Sequence, residues 1–141
     1  MLFRSAKLVK RLEKQRRLHA GDPLASLRAG LHEYIDFGLR HPSHYIVTFM
    51  QREKAHDAAP PFEESPGREA FELLVQCVSD CVSAGLFREV RIDLVSQTLW
   101  MSIHGLVSLL VTEKPFPFAP AAALANEQIE TLLRGLARSP A

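Results

Sequence analysis

Gln97-Thr98-Leu99-Trp100-Met101-Ser102-Ile103-His104-Gly105-Leu106-Val107-Ser108-Leu109-Leu110-Val111-Thr112 decides how this chain is read. No charge falls between Asp93 and Glu113. At 3.6 residues per turn the run divides into three faces. Ile92, Leu99, Ile103, Leu106 and Leu110 form an aliphatic stripe suited to a core. Gln97, Met101, Gly105, Ser108 and Thr112 form a slimmer seam of small or polar residues. Ser96, Trp100, His104, Val107 and Val111 form an apolar face that carries an indole N–H and an imidazole. A helix apolar nearly all round needs cover on nearly all sides. One small domain can hardly supply it, so a second subunit is expected. The run reads as too short and too interrupted to span a bilayer, which takes about 20 apolar residues. It is expected to be the central helix of the molecule, shared between a core, a cavity and a dimer contact.

Outward from this helix, the rest of the chain also reads as helical. Residues 2–18 form one helix, with Leu2, Ala6, Val9, Leu12 and Gln15 on one side and bases around the rest. His19-Ala20-Gly21 stops it, and Asp22-Pro23 opens a second helix as cap and first turn. Leu24, Leu27, Leu31, Tyr34, Ile35 and Gly38 are its inner stripe, and Pro42 ends it. A third helix is expected over 42–52. Residues 54–64 form the one long loop. Ser65-Pro66 starts a fourth helix, with Phe71, Leu74, Val75, Val78, Cys81 and Val82 buried. Gly85 followed by Leu86 reads as a helix stop with a hydrophobic contact after it. The central helix starts near Ile92 with poor capping, and a proline-rich turn over 114–120 leads to a last helix over 121–137. No stretch alternates with period two. The expected class is all-α, with about six helices.

A length of 141 residues suits one domain with a single core. Residues 1–20 carry seven bases against Glu13 alone, a net of +6, while the other 121 residues carry ten bases and fifteen acids, a net of −5. A basic end on an acidic body suits an approach to phosphate, and it suits a solvated helix face equally well. Any DNA contact from these bases is expected to be weak and blind to sequence. Met1-Leu2-Phe3-Arg4 leads into charge, so no secretory signal is read, and the chain is expected in the cytoplasm.

The order of short motifs resembles the C-terminal ligand-binding and dimerisation domain of TetR-type (TetR/AcrR) transcriptional regulators. Trp100-Met101-Ser102-Ile103-His104-Gly105 matches the Trp-x-x-x-His-Gly motif of one subgroup. Asp22-Pro23-Leu24, Tyr34-Ile35-Asp36-Phe37, His41-Pro42-Ser43-His44-Tyr45 and Ala84-Gly85-Leu86-Phe87 fall in the same order as that family's helices. Nothing here matches the family's N-terminal helix-turn-helix headpiece. Residues 1–18 resemble the connecting helix and 19–141 the ligand-binding and dimerisation domain. DNA is therefore expected only through a headpiece outside this sequence, whether by truncation, a mis-started frame or a headless variant.

The resemblance implies a cavity between the connecting helix and the helices at 23–40, 66–84 and 92–113. Its expected lining is Leu31, Tyr34, Phe49, Phe71, Leu74, Val78 and Trp100. Trp100 reads equally as cavity wall or core filler, and His104 as a ligand contact or a residue that satisfies a backbone group near the subunit contact. Gly105 costs roughly 0.5–1 kcal/mol in a helix interior relative to alanine, which close approach of another helix would justify. Gly135 invites the same argument. A four-helix bundle from two subunits is expected, with Gln97, Met101, Gly105, Ser108 and Thr112 meeting Ile129, Leu132, Leu133 and Leu136. The other reading of those seams is a contact within one chain.

Cys77 and Cys81, four apart on a helix, read as buried small hydrophobes rather than a metal site, since structural zinc wants four ligands. His41 and His44 read as solvent-facing. Ser96, Ser102 and Ser108 lack an acid on the His104 face, and no Gly-rich phosphate loop exists. No enzyme, metal or cofactor is expected. The expected function is a regulator's sensor domain: a homodimer that takes a small hydrophobic or aromatic effector and releases a repressor from DNA. The alternatives are an interaction protein that pairs with full-length relatives, or a small all-α carrier.

Overall fold

The computed structural model describes residues 2–45, 62–64 and 67–139. All the regular structure among them is helical: α1 (Leu2–Leu18), α2 (Pro23–Arg40), α3 (Pro42–Tyr45), α4 (Arg68–Ser83), α5 (Ile92–Thr112) and α6 (Ala121–Leu136), with one 3₁₀ turn at Phe62–Glu64. Phe49, and most of the helix expected over 42–52, lie outside the described residues.

Local chemistry explains most boundaries. The Asp22 carboxylate accepts a hydrogen bond from Ala25 N at 3.1 Å, and Pro23 occupies the first turn of α2. α2 stops at Arg40, two residues before Pro42. Gly85, at φ +72°, ends α4 in the left-handed conformation, where Gly85 N donates to Val82 O and Leu86 N to Cys81 O. Leu86 stays 37% exposed, and the core residue after the stop is its neighbour Phe87, 4% exposed. α5 starts without a side-chain cap, and Arg91 instead pairs with Asp93 at 2.7 Å.

α2 is the hub. It packs against α1, α4, α5 and α6, whereas α5 packs mainly against α2, α4 and α6 and, among the described residues, keeps one side open. The expectation of α5 as the central helix is corrected accordingly. Leu27, Leu31 and Ile35 of α2 meet Leu74, Val78 and Cys81 of α4, and Leu99 and Ile103 of α5, in one core. α1 joins through Leu8, Val9 and Leu12, while Ala6 is exposed, so the apolar stripe of α1 sits one residue from the expected line. On α5 the buried line is Val95, Ser96, Leu99, Ile103 and Val107, and Leu106 and Leu110 are only half-buried.

α5 is 21 residues long, enough to cross a bilayer, so the expectation that it is too short is also corrected. Packing on three helices buries only part of its apolar surface, and Leu94, Met101 and Leu109 stay exposed. Ion pairs fasten the outer layer. Arg16 reaches Asp80 at 3.0 Å to tie α1 to α4, and Arg28 reaches Glu130 at 2.8 Å to tie α2 to α6. The end of α6 is clamped to the α4–α5 connection. Arg88 N donates to Leu136 O at 2.8 Å, Arg138 N to Leu86 O at 3.0 Å, and Arg88 Nε to Gly135 O at 2.9 Å.

Candidate functional site

Trp100 stands where α2, α4 and α5 converge. Its ring meets Tyr34 of α2 edge-on at 5.5 Å and Phe71 of α4 at 5.1 Å, with interplanar angles of 82° and 87°. One turn on, His104 lies tilted against Trp100 at 4.5 Å. Phe62, on the 3₁₀ turn, closes edge-on over Phe71 at 5.8 Å. Such edge-to-face pairs contribute about 0.5–1.5 kcal/mol each beyond their burial. Tyr34 is buried, while Phe71, Trp100 and His104 are half-buried and Phe62 is exposed. The five rings therefore grade from core to surface.

The wall they form is uncharged near neutral pH. Burial pushes the Tyr34 phenol well above its ordinary value. Burial also pulls His104 down from 6.5 to about 4, so its imidazole is neutral. The Tyr34 hydroxyl donates to the Ala70 carbonyl. It thus clasps α2 to α4, and its proton is already used within the protein.

The other expected lining residues fall on the core side. Leu31 and Val78 are fully buried and Leu74 is 3% exposed. The space beside Leu31, Tyr34 and Leu74 measures about 10 Å³, room for one water at most. So the structure joins Tyr34, Phe71, Trp100 and His104 in one wall, and sets Leu31, Leu74 and Val78 behind it as packing. Phe62 escapes sequence reasoning, because a lone aromatic in a loop has no periodicity to assign it a face.

The seam on α5 faces outward. Gln97, Met101 and Thr112 are exposed and Gly105 and Ser108 half-exposed, with Leu94 and Leu109 beside them at 53% and 49%. A Cβ on Gly105 or on Gly135 would meet nothing within 4 Å. Among the described residues, then, neither glycine makes room for a neighbouring helix of its own protomer, which corrects the reading of these seams as a close contact within one chain. On α6, Ile129, Leu133 and Leu136 are buried within the protomer and Leu132 is half-buried. The first three fix α6 to its own core. A cleft of about 440 Å³ opens between α5 and α6, floored by Val95, Leu99 and Leu136, with Leu94, Thr98 and Gly135 at its edge.

Cys77 and Cys81 are free and buried, and burial raises both thiols, Cys81 to about 12. Cys77 Sγ lies 3.8 Å from Ser26 Oγ. Among the described residues, no group of three or more His, Cys, Asp or Glu side chains is placed to hold a metal ion.

The sequence matches the family described as "Tetracyclin repressor-like, C-terminal domain" over residues 27–132. The chain belongs to this family. Tetracyclin repressor-like C-terminal domains serve regulation rather than catalysis, and typically dimerise and bind small-molecule effectors. A solved structure of a protein of unknown function from Rhodococcus sp. RHA1 has the same fold. It superposes with a TM-score of 0.76 at 20% identity, over 97% of this chain and 69% of that one, a likeness that shows the fold alone. No curated protein matches the sequence.

Proposed function

We propose that this chain is the sensor and dimerisation domain of a cytoplasmic TetR-type repressor, released from DNA by a small, uncharged, hydrophobic or aromatic effector. Residues 1–18 act as the connecting helix and 19–141 as the sensor. The observation that supports it is the ring wall around Trp100. It gathers aromatic side chains of three helices and a 3₁₀ turn, half-open at Trp100 and Phe71, with no formal charge at neutral pH. Such a surface favours flat or greasy molecules and disfavours ions. The open face of α5, with Met101 64% exposed, supports a homodimer in which Gln97, Met101, Gly105, Ser108 and Thr112 approach α6 of the second copy.

Trp100 is the sole tryptophan, so its fluorescence reports directly on this wall. Titration with 1-naphthol, biphenyl and dodecanol is expected to shift or quench its emission, and to raise the melting temperature through binding to the native state. If none of them perturbs Trp100, the wall is ordinary core and the sensor reading fails.

A further inference from the structure

The exposed apolar residues of α5 are spaced almost symmetrically along it. Leu94, Met101 and Leu109 are exposed, and Leu94 and Leu109 stand seven residues before and eight after Met101. With Thr98 and Gly105 between them, all five fall on one stripe of the helix. A two-fold axis at right angles to α5, passing between Met101 and Ser102, sets Leu94 level with the partner's Leu109, and Thr98 level with the partner's Gly105. Beyond the stripe it sets Glu89 level with the partner's Lys114, two exposed residues of opposite charge. An axis through Met101 itself would instead set Glu89 level with the partner's Glu113, and Arg88 level with the partner's Lys114. Like charges at an interface are costly, so charge selects the first register.

The two ends of α5 have complementary shapes. Its start borders the cleft of about 440 Å³, which Arg88 and Arg91 also line. Past its end Phe116 is 59% exposed, its ring 4.4 Å from that of Phe118. Phe116 N donates to Glu113 O at 3.1 Å and Phe118 N to Phe116 O at 2.9 Å. Pro115, Pro117 and Pro120 restrict the backbone around them, so the ring is held out with little freedom left to lose on binding. About 27 Å of helix separates Leu94 from Thr112, so the ring cannot reach the cleft of its own chain. We propose that Phe116 of each copy seats in the α5–α6 cleft of the other, an interlock that rests on the homodimer proposed above. The two-fold axis lays the start of one α5 level with the end of the other, which brings ring and cleft together. A cavity of about 150 Å³ holds benzene, so the cleft has room for the ring. A guanidinium in its wall attracts an aromatic face. Exposed apolar residues run the length of α5, which suits a shallow crossing of about 20° rather than a steep one that covers Met101 alone.

Analytical ultracentrifugation of the whole chain, with chemical cross-linking, tests it. Phe116→Ser should weaken the dimer about thirtyfold or more, as loss of a buried aromatic anchor does. Phe116→Tyr should keep most of the affinity, and so should Leu18→Ser, a comparable change of an exposed apolar residue on α1. Glu89→Cys with Lys114→Cys should give a covalent dimer with a short bismaleimide, and either cysteine alone should give far less. Those two positions lie beyond opposite ends of α5, so the link can form only between copies. A parent that is monomeric at about 50 μM removes the homodimer and this interlock with it. A parent dimer that keeps its affinity in Phe116→Ser leaves the cleft to another occupant and overturns the interlock alone. So does a parent dimer that fails to cross-link through 89 and 114, or that links equally through Glu89→Cys by itself.

Discussion

Arg28 on α2 grips Glu130 on α6 at two points, Nε to Oε2 at 2.8 Å and Nη2 to Oε1 at 3.1 Å. The two residues are 102 positions apart in the chain, so this pair registers the last helix against the hub. Hydrogen bonding from the guanidinium lowers the Glu130 carboxyl below its ordinary value. Both side chains are about a third exposed, so solvent screens the pair. Arg28→Gln should therefore cost only about 0.5 kcal/mol in urea unfolding, and a double-mutant cycle with Glu130→Gln should give a coupling of similar size that shrinks in salt.

Trp100 should matter for stability as well as for binding. Removing a half-buried indole that contacts three other rings should cost about 3 kcal/mol in Trp100→Ala, the lower end for such truncations. Effector affinity has to be measured on the folded fraction, by calorimetry at low temperature. A variant that is destabilised yet binds 1-naphthol undiminished would separate core packing from recognition.

The depressed His104 imidazole makes stability depend on pH. The unfolded chain takes up a proton near pH 6.5, whereas the folded chain refuses it until about 4. Stability from this group is complete above pH 6.5 and declines as pH falls through the window from 6.5 to about 4, by up to about 3 kcal/mol. Melting curves of the protein and of His104→Asn across that window should converge at acid pH. Parallel curves would mean that His104 titrates normally.

Gly105 offers a test of assembly that leaves the protomer alone. Because a Cβ there meets none of the described residues within 4 Å, Gly105→Leu should give a folded monomer where the parent is a dimer by light scattering at about 50 μM. Glu69→Ala, on the exposed side of α4, should leave the mass unchanged. A parent that is itself monomeric at that concentration would refute the proposed dimer.

The thiols should be silent. With Cys81 fully buried, Cys77 9% exposed and both thiols raised, a disulfide reagent at pH 8 should label neither within an hour, and both once urea unfolds the chain.

Much of this was legible in the residues, for reasons that differ by element. Asp22-Pro23, Pro42 and Gly85 carry their own stereochemistry, so α2 and the end of α4 could be bounded without tertiary context. Leu27, Leu31 and Ile35 repeat at helical spacing between polar neighbours, so their face was clear. α5 was harder, because a helix apolar on every side gives no contrast to orient it. The true buried line at Val95, Leu99, Ile103 and Val107 differs by a fraction of a turn from the expected one. The hub role of α2 was invisible for a related reason, since how many neighbours a helix has is a long-range property. In the site, Trp100 and His104 announced themselves by spacing, and Tyr34 and Phe71 through the family resemblance. The capture of the Tyr34 hydroxyl by Ala70 depends on how α2 crosses α4, which no local pattern encodes.

The clamp between residues 86–88 and 135–138 bears on how the protein is made. Leu86, Phe87 and Arg88 are synthesised about fifty residues before Gly135, Leu136 and Arg138, with which they pair. During that interval α5 has no α6 beside it, and the apolar floor at Val95 and Leu99 faces water or a chaperone. The nascent chain can gather α1, α2 and α4 on the ribosome. It closes only after α6 has emerged, and until then the uncovered floor of α5 is an aggregation hazard.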